Sequence, residues 1–299
     1  MKRRKILATL LAVAMVVMAM GMVGCGADSA EGEGSVGLSV STLNNPFFVT
    51  LVEGAQEKAE ELGIELIVVD AGDDAAKQTN DIEDLISRNI SVLIVNPVDS
   101  DAVGPAVEDA LEAGIRVIAV DRAVNDVTID TTIASDNVLG AEMAAEYLVE
   151  LVGEGGLVVE LEGIPGASAT VDRGTGFHNV ASERLEVLSS QTANFSRSEG
   201  LDVMENILQA HADIQGVFAH NDEMALGAIE AIAASGRDIV VVGFDATDDA
   251  IASIEAGIMK ATIAQMPDLM GATAVEVAQQ LMNDESVPSE LPVEVRLVN

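Results

Sequence analysis

One cysteine, one tyrosine, no tryptophan and six phenylalanines are all that 299 residues hold of those types. The single cysteine, Cys25, excludes an intramolecular disulfide. The three histidines, His178, His211 and His220, are scattered, and no Cys/His/carboxylate spacing suggests a zinc site. Asp245, Asp248 and Asp249 lack the alternating ligands and closing glutamate of a calcium loop, so no metal is expected. No serine or cysteine nucleophile is flanked by a plausible histidine base. The turn GEGG (Gly153–Gly156) lacks the Lys-Ser/Thr ending of a phosphate-cradling loop. No cofactor is expected either.

Positive charge is scarce as well. Fifty acidic residues face 15 basic ones, for a formal net charge of −35. Four of the basic residues are Lys2, Arg3, Arg4 and Lys5, which leaves 15 − 4 = 11 for everything after residue 25. Such a surface repels phosphate backbones and excludes nucleic acid as a partner. The charge reads either as a solvated, solubilising face or as adaptation to high external salt, which would screen the self-repulsion.

The basic head precedes an apolar run from Ile6 to Val23, interrupted by Thr9 and Gly21, in the form of a secretory signal. The run is also long enough for an uncleaved membrane anchor. Its ending, Met22-Val23-Gly24-Cys25, resembles the bacterial lipobox, with Met22 in place of the usual leucine. The expectation is a lipoprotein signal peptide over 1–24, lipidation of Cys25 and a polar, acid-rich tether over 25–35. A membrane-anchored, exported protein follows from either reading.

From Val36 onward short β-branched runs alternate with amphipathic stretches of helical period. The runs are Val36–Val40, Leu66–Val69, Val92–Val95, Val117–Val120, Leu157–Leu161, Val217–Ala219 and Ile239–Phe244. The helical stretches include Phe47–Leu62, Ala75–Arg88, Ala102–Ala113, Val138–Val152, Val203–His211 and Met224–Ala234, with Gly63, Gly114 and Gly236 at expected C-terminal caps. Short apolar runs suit parallel strands buried on both faces. About ten such units predict an α/β chain of two doubly wound parallel-sheet lobes, with a single (β/α) barrel as the structural rival.

In such folds function sits just after the strands. Those positions carry STLNNPFF, NPVDSDAVG, VDRA, ANFSR, AHNDEMALGA, VVGFDAT and ATIAQMPD, with DRGTGF expected before a helix. They supply amides, carboxylates, guanidinium groups and phenyl rings, which are what a sugar needs. Paired donors and acceptors meet hydroxyls, and rings meet C–H faces.

Taken in this order, these strings and IASDNVLG resemble the ribose-binding proteins of ABC importers, from about Val36 to the C-terminus. The resemblance implies a type I periplasmic-binding-protein fold. Residues 36–135 plus 266–294 would form one lobe, and 136–265 plus 295–299 the other. A three-segment hinge would lie near Ser135–Asn137, Gln265–Pro267 and Glu294–Val295. It implies sugar contacts from Asn45, Phe47, Phe48, Asp121, Arg122, Arg173, Phe195, Asn221, Phe244, Asp245 and Gln265, with Ser41, Asn96 and Ser135 close by. Four of the six phenylalanines fall in that set; Phe177 and Phe218 read as core. His220 stands where the family often has glutamine and reads as structural.

The implied function is capture of a monosaccharide, ribose first among the choices, and delivery to a membrane permease by a monomeric protein. Another pentose or hexose, a furanosyl autoinducer and a chemoreceptor-coupled sensor would use the same groups. Asp121 and Asp245 could be misread as a glycosidase pair. Arg122 and Arg173 are expected to keep both ionised, leaving two acceptors and no proton donor. A sugar-responsive repressor would carry a basic helix-turn-helix, which the export signal and acidic surface replace here.

Overall fold

Valine and isoleucine fill the central strands because those strands are covered on both faces. The structure is a computed structural model that describes residues 34–299. The expected signal, Cys25 and most of the tether lie outside the described residues. The described chain forms twelve strands and nine helices. It begins β1 (Val36–Val40), α1 (Pro46–Leu62), β2 (Leu66–Asp70), α2 (Ala75–Ser87), β3 (Val92–Val95), α3 (Gly104–Glu112), β4 (Arg116–Val120) and β5 (Thr131–Ser135). It continues through α4 (Asn137–Val152), β6 (Gly156–Glu162), α5 (Ser168–Arg184), β7 (Leu185–Thr192), α6 (Arg197–Ala210), β8 (Gly216–Ala219), α7 (Asp222–Ser235) and β9 (Val240–Asp245). It ends with α8 (Asp248–Glu255), β10 (Ala261–Ala264), α9 (Pro267–Met282), β11 (Glu290–Val293) and β12 (Arg296–Val298).

Two open six-stranded sheets result, ordered β11-β5-β4-β3-β1-β2 and β12-β10-β9-β8-β6-β7. This is the expected pair of doubly wound lobes, and it rules out the barrel. Every pairing is parallel except β10 with β12. Each sheet reverses its winding beside its first strand, at β1/β3 and at β6/β8. Clefts for ligands open at the carboxyl ends of strands at such switch points.

Period-two alternation explains the burial. In β3, Val92 and Ile94 join the core beneath α1 and α9, while Leu93 and Val95 join the core beneath α2 and α3. Both sets are fully buried, so the run is apolar at every position. The second sheet repeats this with one core under α6 and α7 and another under α4 and α5. Phe177 and Phe218 stack there, 4.9 Å apart, as the core residues expected.

Local rules set the helix ends. Asn45, Asp74 and Asp136 accept backbone N–H groups of the first turns of α1, α2 and α4. Gly63 and Gly236 close α1 and α7 in the left-handed region. α6 begins at Arg197, earlier than the apolar period suggests, because Ser196 caps it and its first turn is polar. β7 was absent from the sequence reading because it is a half-exposed edge strand, LEVLSSQT.

Among the described residues the chain passes three times between the sheets. It leaves β5 for α4, leaves β10 for α9, and crosses from β11 to β12 through Glu294 and Val295.

Candidate functional site

The carboxyl ends of the two sheets meet around a small cavity lined by Asn45, Phe47, Phe48, Asp121, Arg122, Ala169, Arg173, Phe195, Asn221 and Asp245. Nine of the eleven expected contact residues therefore stand together. The remaining two are one layer back. Phe244 is fully buried in the core under α4, and Gln265 lies behind Asp245, donating its Nε2 to Oδ1 at 2.8 Å.

Strand ends and helix starts hold these groups. Asn45 uses its Oδ1 to accept the Phe47 N–H at 2.9 Å, so its free offering is the amide nitrogen. Asn221 caps α7 through the Met224 N–H at 3.0 Å and donates Nδ2 to the Phe195 carbonyl. Asn96 accepts the Ser41 N–H at 3.1 Å and donates to Asp121 Oδ2 at 3.2 Å. It thereby orients a carboxylate without lining the cavity. Ser41 lies buried beside it, and Ser135 lies in a neighbouring concavity that also contains Asp121.

Three lining residues have left-handed backbone: Asp121 (φ 65°), Phe195 (φ 59°) and Asp245 (φ 126°). Non-glycine residues adopt that region at a cost and do so most often where geometry matters. Space for one of them depends on glycine. A Cβ on Gly163 would fall 2.0 Å from the Phe195 ring.

The two guanidinium groups are built into aromatic and polar frames. Arg122 lies between Phe48 and Phe195, at 5.1 and 5.3 Å from their ring centres. Its Nη1 donates to the Pro97 carbonyl at 2.8 Å. Arg173 stands over Phe244 at 3.9 Å, donates Nε to Asn137 Oδ1 at 2.8 Å and Nη1 to the His220 carbonyl at 2.5 Å. Each faces a carboxylate at 3.7 Å, Arg122 toward Asp121 and Arg173 toward Asp245. Arg122 Nε and Asp121 Oδ1 are buried without a hydrogen-bond partner. Unmatched donors and acceptors at one site call for a ligand carrying both.

The electrostatics set burial against the two arginines. The sequence reading has the arginines hold both carboxylates ionised. Burial is the larger influence, and it raises the pKa of Asp121 and, further, that of Asp245, against the pull of Arg122 and Arg173. Desolvation likewise lowers both arginines. Behind Asp245 lies Asp222, fully buried and pushed up to about 7 by desolvation, although Thr262 and Thr247 donate hydrogen bonds to it.

Sequence reasoning missed Asn137, Asp222 and Glu160. Asp222 and Asn137 look like helix-start residues, and only the fold shows what they touch. Glu160 is buried in β6. Burial alone would raise it, but hydrogen bonds from His220 and Ser190 and the charges of His220 and His178 hold it lower. His220 is fully buried and its pKa is lowered by desolvation, in keeping with a structural role.

The periplasmic binding protein domain matches residues 36–286. The ribose import binding protein of Bacillus subtilis (strain 168) is 51% identical over 265 residues, 89% of this chain and 87% of that protein. The ribose import binding protein of Escherichia coli (strain K12) is 46% identical over 288 residues, 96% of this chain and 97% of that protein. Among solved structures, an ABC transporter solute binding protein from Bacillus halodurans with bound myo-inositol superposes with a TM-score of 0.86. It is 34% identical, and the match covers 91% of this chain and 96% of that one. The chain belongs to the periplasmic binding protein domain family and, within it, to the ribose-binding proteins of sugar importers.

Proposed function

We propose that the chain captures one monosaccharide, D-ribose, between its two lobes and hands it to an ABC permease without chemical change. The observation that carries this reading is the cavity itself. Two carboxyls, two guanidinium groups, two amides and three phenyl rings converge on it from both sheets. Buried donors and acceptors without hydrogen-bond partners make it complementary to a ring bearing several hydroxyls. The names and identities of the relatives support ribose among such sugars.

Binding without catalysis is supported by how the reactive groups are committed. Neither His178 nor His220 lines the cavity, and both bond to Glu160. No hydroxyl in the cavity has a base beside it, and each aspartate faces a guanidinium. A sugar hydroxyl donating to Asp121 or Asp245 would stabilise the ionised carboxylate that burial disfavours.

The three crossings between the sheets act as the hinge: Ser135–Asn137, Gln265–Pro267 and Glu294–Val295. Residues 36–135 plus 266–294 move against 136–265 plus 295–299. Hinge closure of periplasmic binding proteins is a standard instance of such motion. Ligand contacts from both lobes favour the closed form because the open form lacks them. The mature protein is a monomer held at the outer face of the membrane by lipidated Cys25. A thermal-shift screen over pentoses, hexoses, cyclic polyols and furanosyl autoinducer tests the ligand. Ribose should give the largest shift, and no shift with ribose would end this reading.

A further inference from the structure

Three hydrogen bonds join the two sheets' loops without passing through the cavity. Ser100, in the loop after β3, donates its N–H to the Gly166 carbonyl at 3.0 Å. Its Oγ accepts the Ser168 N–H at 3.1 Å. Ser168 Oγ in turn accepts the Ala123 N–H at 2.9 Å, from the loop after β4. Ser100 is fully buried, and its own carbonyl accepts the Asn125 N–H, so its position is fixed by its own lobe.

The second of these bonds is a helix cap. α5 starts after Ala167, which has no side chain able to cap it. A helix start leaves its first N–H groups without partners, and a serine, threonine, asparagine or aspartate normally supplies one. Here the hydroxyl comes from Ser100 of the opposite lobe. α5 also carries Arg173 and Ala169 into the sugar cavity. The close approach is built in on the other side too. Gly166 has φ +91°, and a Cβ there would stand 2.2 Å from Asp99 Oδ2.

We infer that Ser100 and Ser168 form an interlobe latch, a pair of positioning residues that sets sugar affinity by holding the closed form without touching the sugar. The inference rests on the proposal that the chain binds a sugar between hinged lobes. When the lobes part, the Ser168 N–H loses its cap and the three bonds pass to water. Apparent affinity scales with the fraction of protein able to adopt the binding form, so the latch contributes to it directly. Because the bonds form on closure, their loss speeds opening and leaves encounter unchanged.

Ser100→Ala and Ser168→Ala test this in the full chain, by stopped-flow ribose binding together with thermal unfolding of the sugar-free protein. Each variant should weaken ribose binding about 3- to 10-fold. The loss should appear in the dissociation rate, with association within about twofold of wild type and the sugar-free unfolding midpoint unchanged. Unchanged affinity and dissociation in both variants would overturn the latch. So would a weakening carried by association, or a fall in the sugar-free midpoint, since either marks a merely structural role. A wild-type protein that binds no ribose would instead overturn the proposed function.

Discussion

The guanidinium of Arg173 lies 3.9 Å from the centre of the Phe244 ring, with Asn137 and the His220 carbonyl fixing its edge. Phe244 thus serves the cavity from below, as the floor on which the Arg173 guanidinium rests. Removing Arg173 would leave Asp245 buried without its cation. Arg173→Ala or Asp245→Ala should therefore cost about 2–5 kcal/mol of sugar binding. Calorimetry on variants with native circular dichroism checks this, and unchanged affinity would mean that the cavity is misassigned.

Asn137 acts only through Arg173 in this account. Asn137→Ala should weaken sugar binding, and Asn137→Asp, which keeps the acceptor, should restore most of the affinity. Equal losses in both variants would contradict a positioning role.

The rings make a separate prediction. Phe195 approaches Arg122 from the opposite lobe and covers the cavity. Phe195→Ala should weaken binding by about 1–3 kcal/mol, through lost burial and lost ring contact. Phe177→Ala should instead lower the unfolding midpoint of the sugar-free protein, because that ring is core. The same two variants measured by titration and by melting separate the roles.

Two pH effects run in opposite directions. The pKa of Asp222 is raised to about 7 from an ordinary 3.8, so folding favours its protonated form. That stabilisation is complete below the ordinary value and is lost as pH rises through about 7. The sugar-free protein should melt lower at pH 8 than at pH 5, and Asp222→Asn should flatten the difference. If sugar hydroxyls donate to ionised Asp121 and Asp245, as proposed, the raised pKa values of both mean that affinity should fall on acidification. A melting profile with the opposite slope, or affinity that rises toward pH 5, would contradict these assignments.

Much of this was legible in the chain. The β-branched runs of β1, β3 and β4 announced strands covered on both faces, and the strings singled out along both halves of the chain held nine residues that the cavity gathers. What was hidden depends on depth. Phe244 and Gln265 belong to motifs next to the site, and only packing tells a wall from the layer behind it. The upward pull of burial on the pKa values of Asp121 and Asp245 is likewise hidden, because neighbouring arginines in a sequence do not reveal depth. β11 and β12 were illegible because ELPV and RLV are short, partly exposed edge strands.

The formal charge of −35 carries its own consequence. Self-repulsion among so many carboxylates is screened by salt, so the unfolding midpoint should climb as salt is added. A flat or falling midpoint would remove high external salt as the reason for this surface.

Calorimetric titration with D-ribose at neutral pH tests the central claim most directly. One saturable site per chain, abolished or strongly weakened in Arg173→Ala, is the predicted result. No heat of binding with ribose in a folded protein, or binding untouched by that substitution, would contradict it.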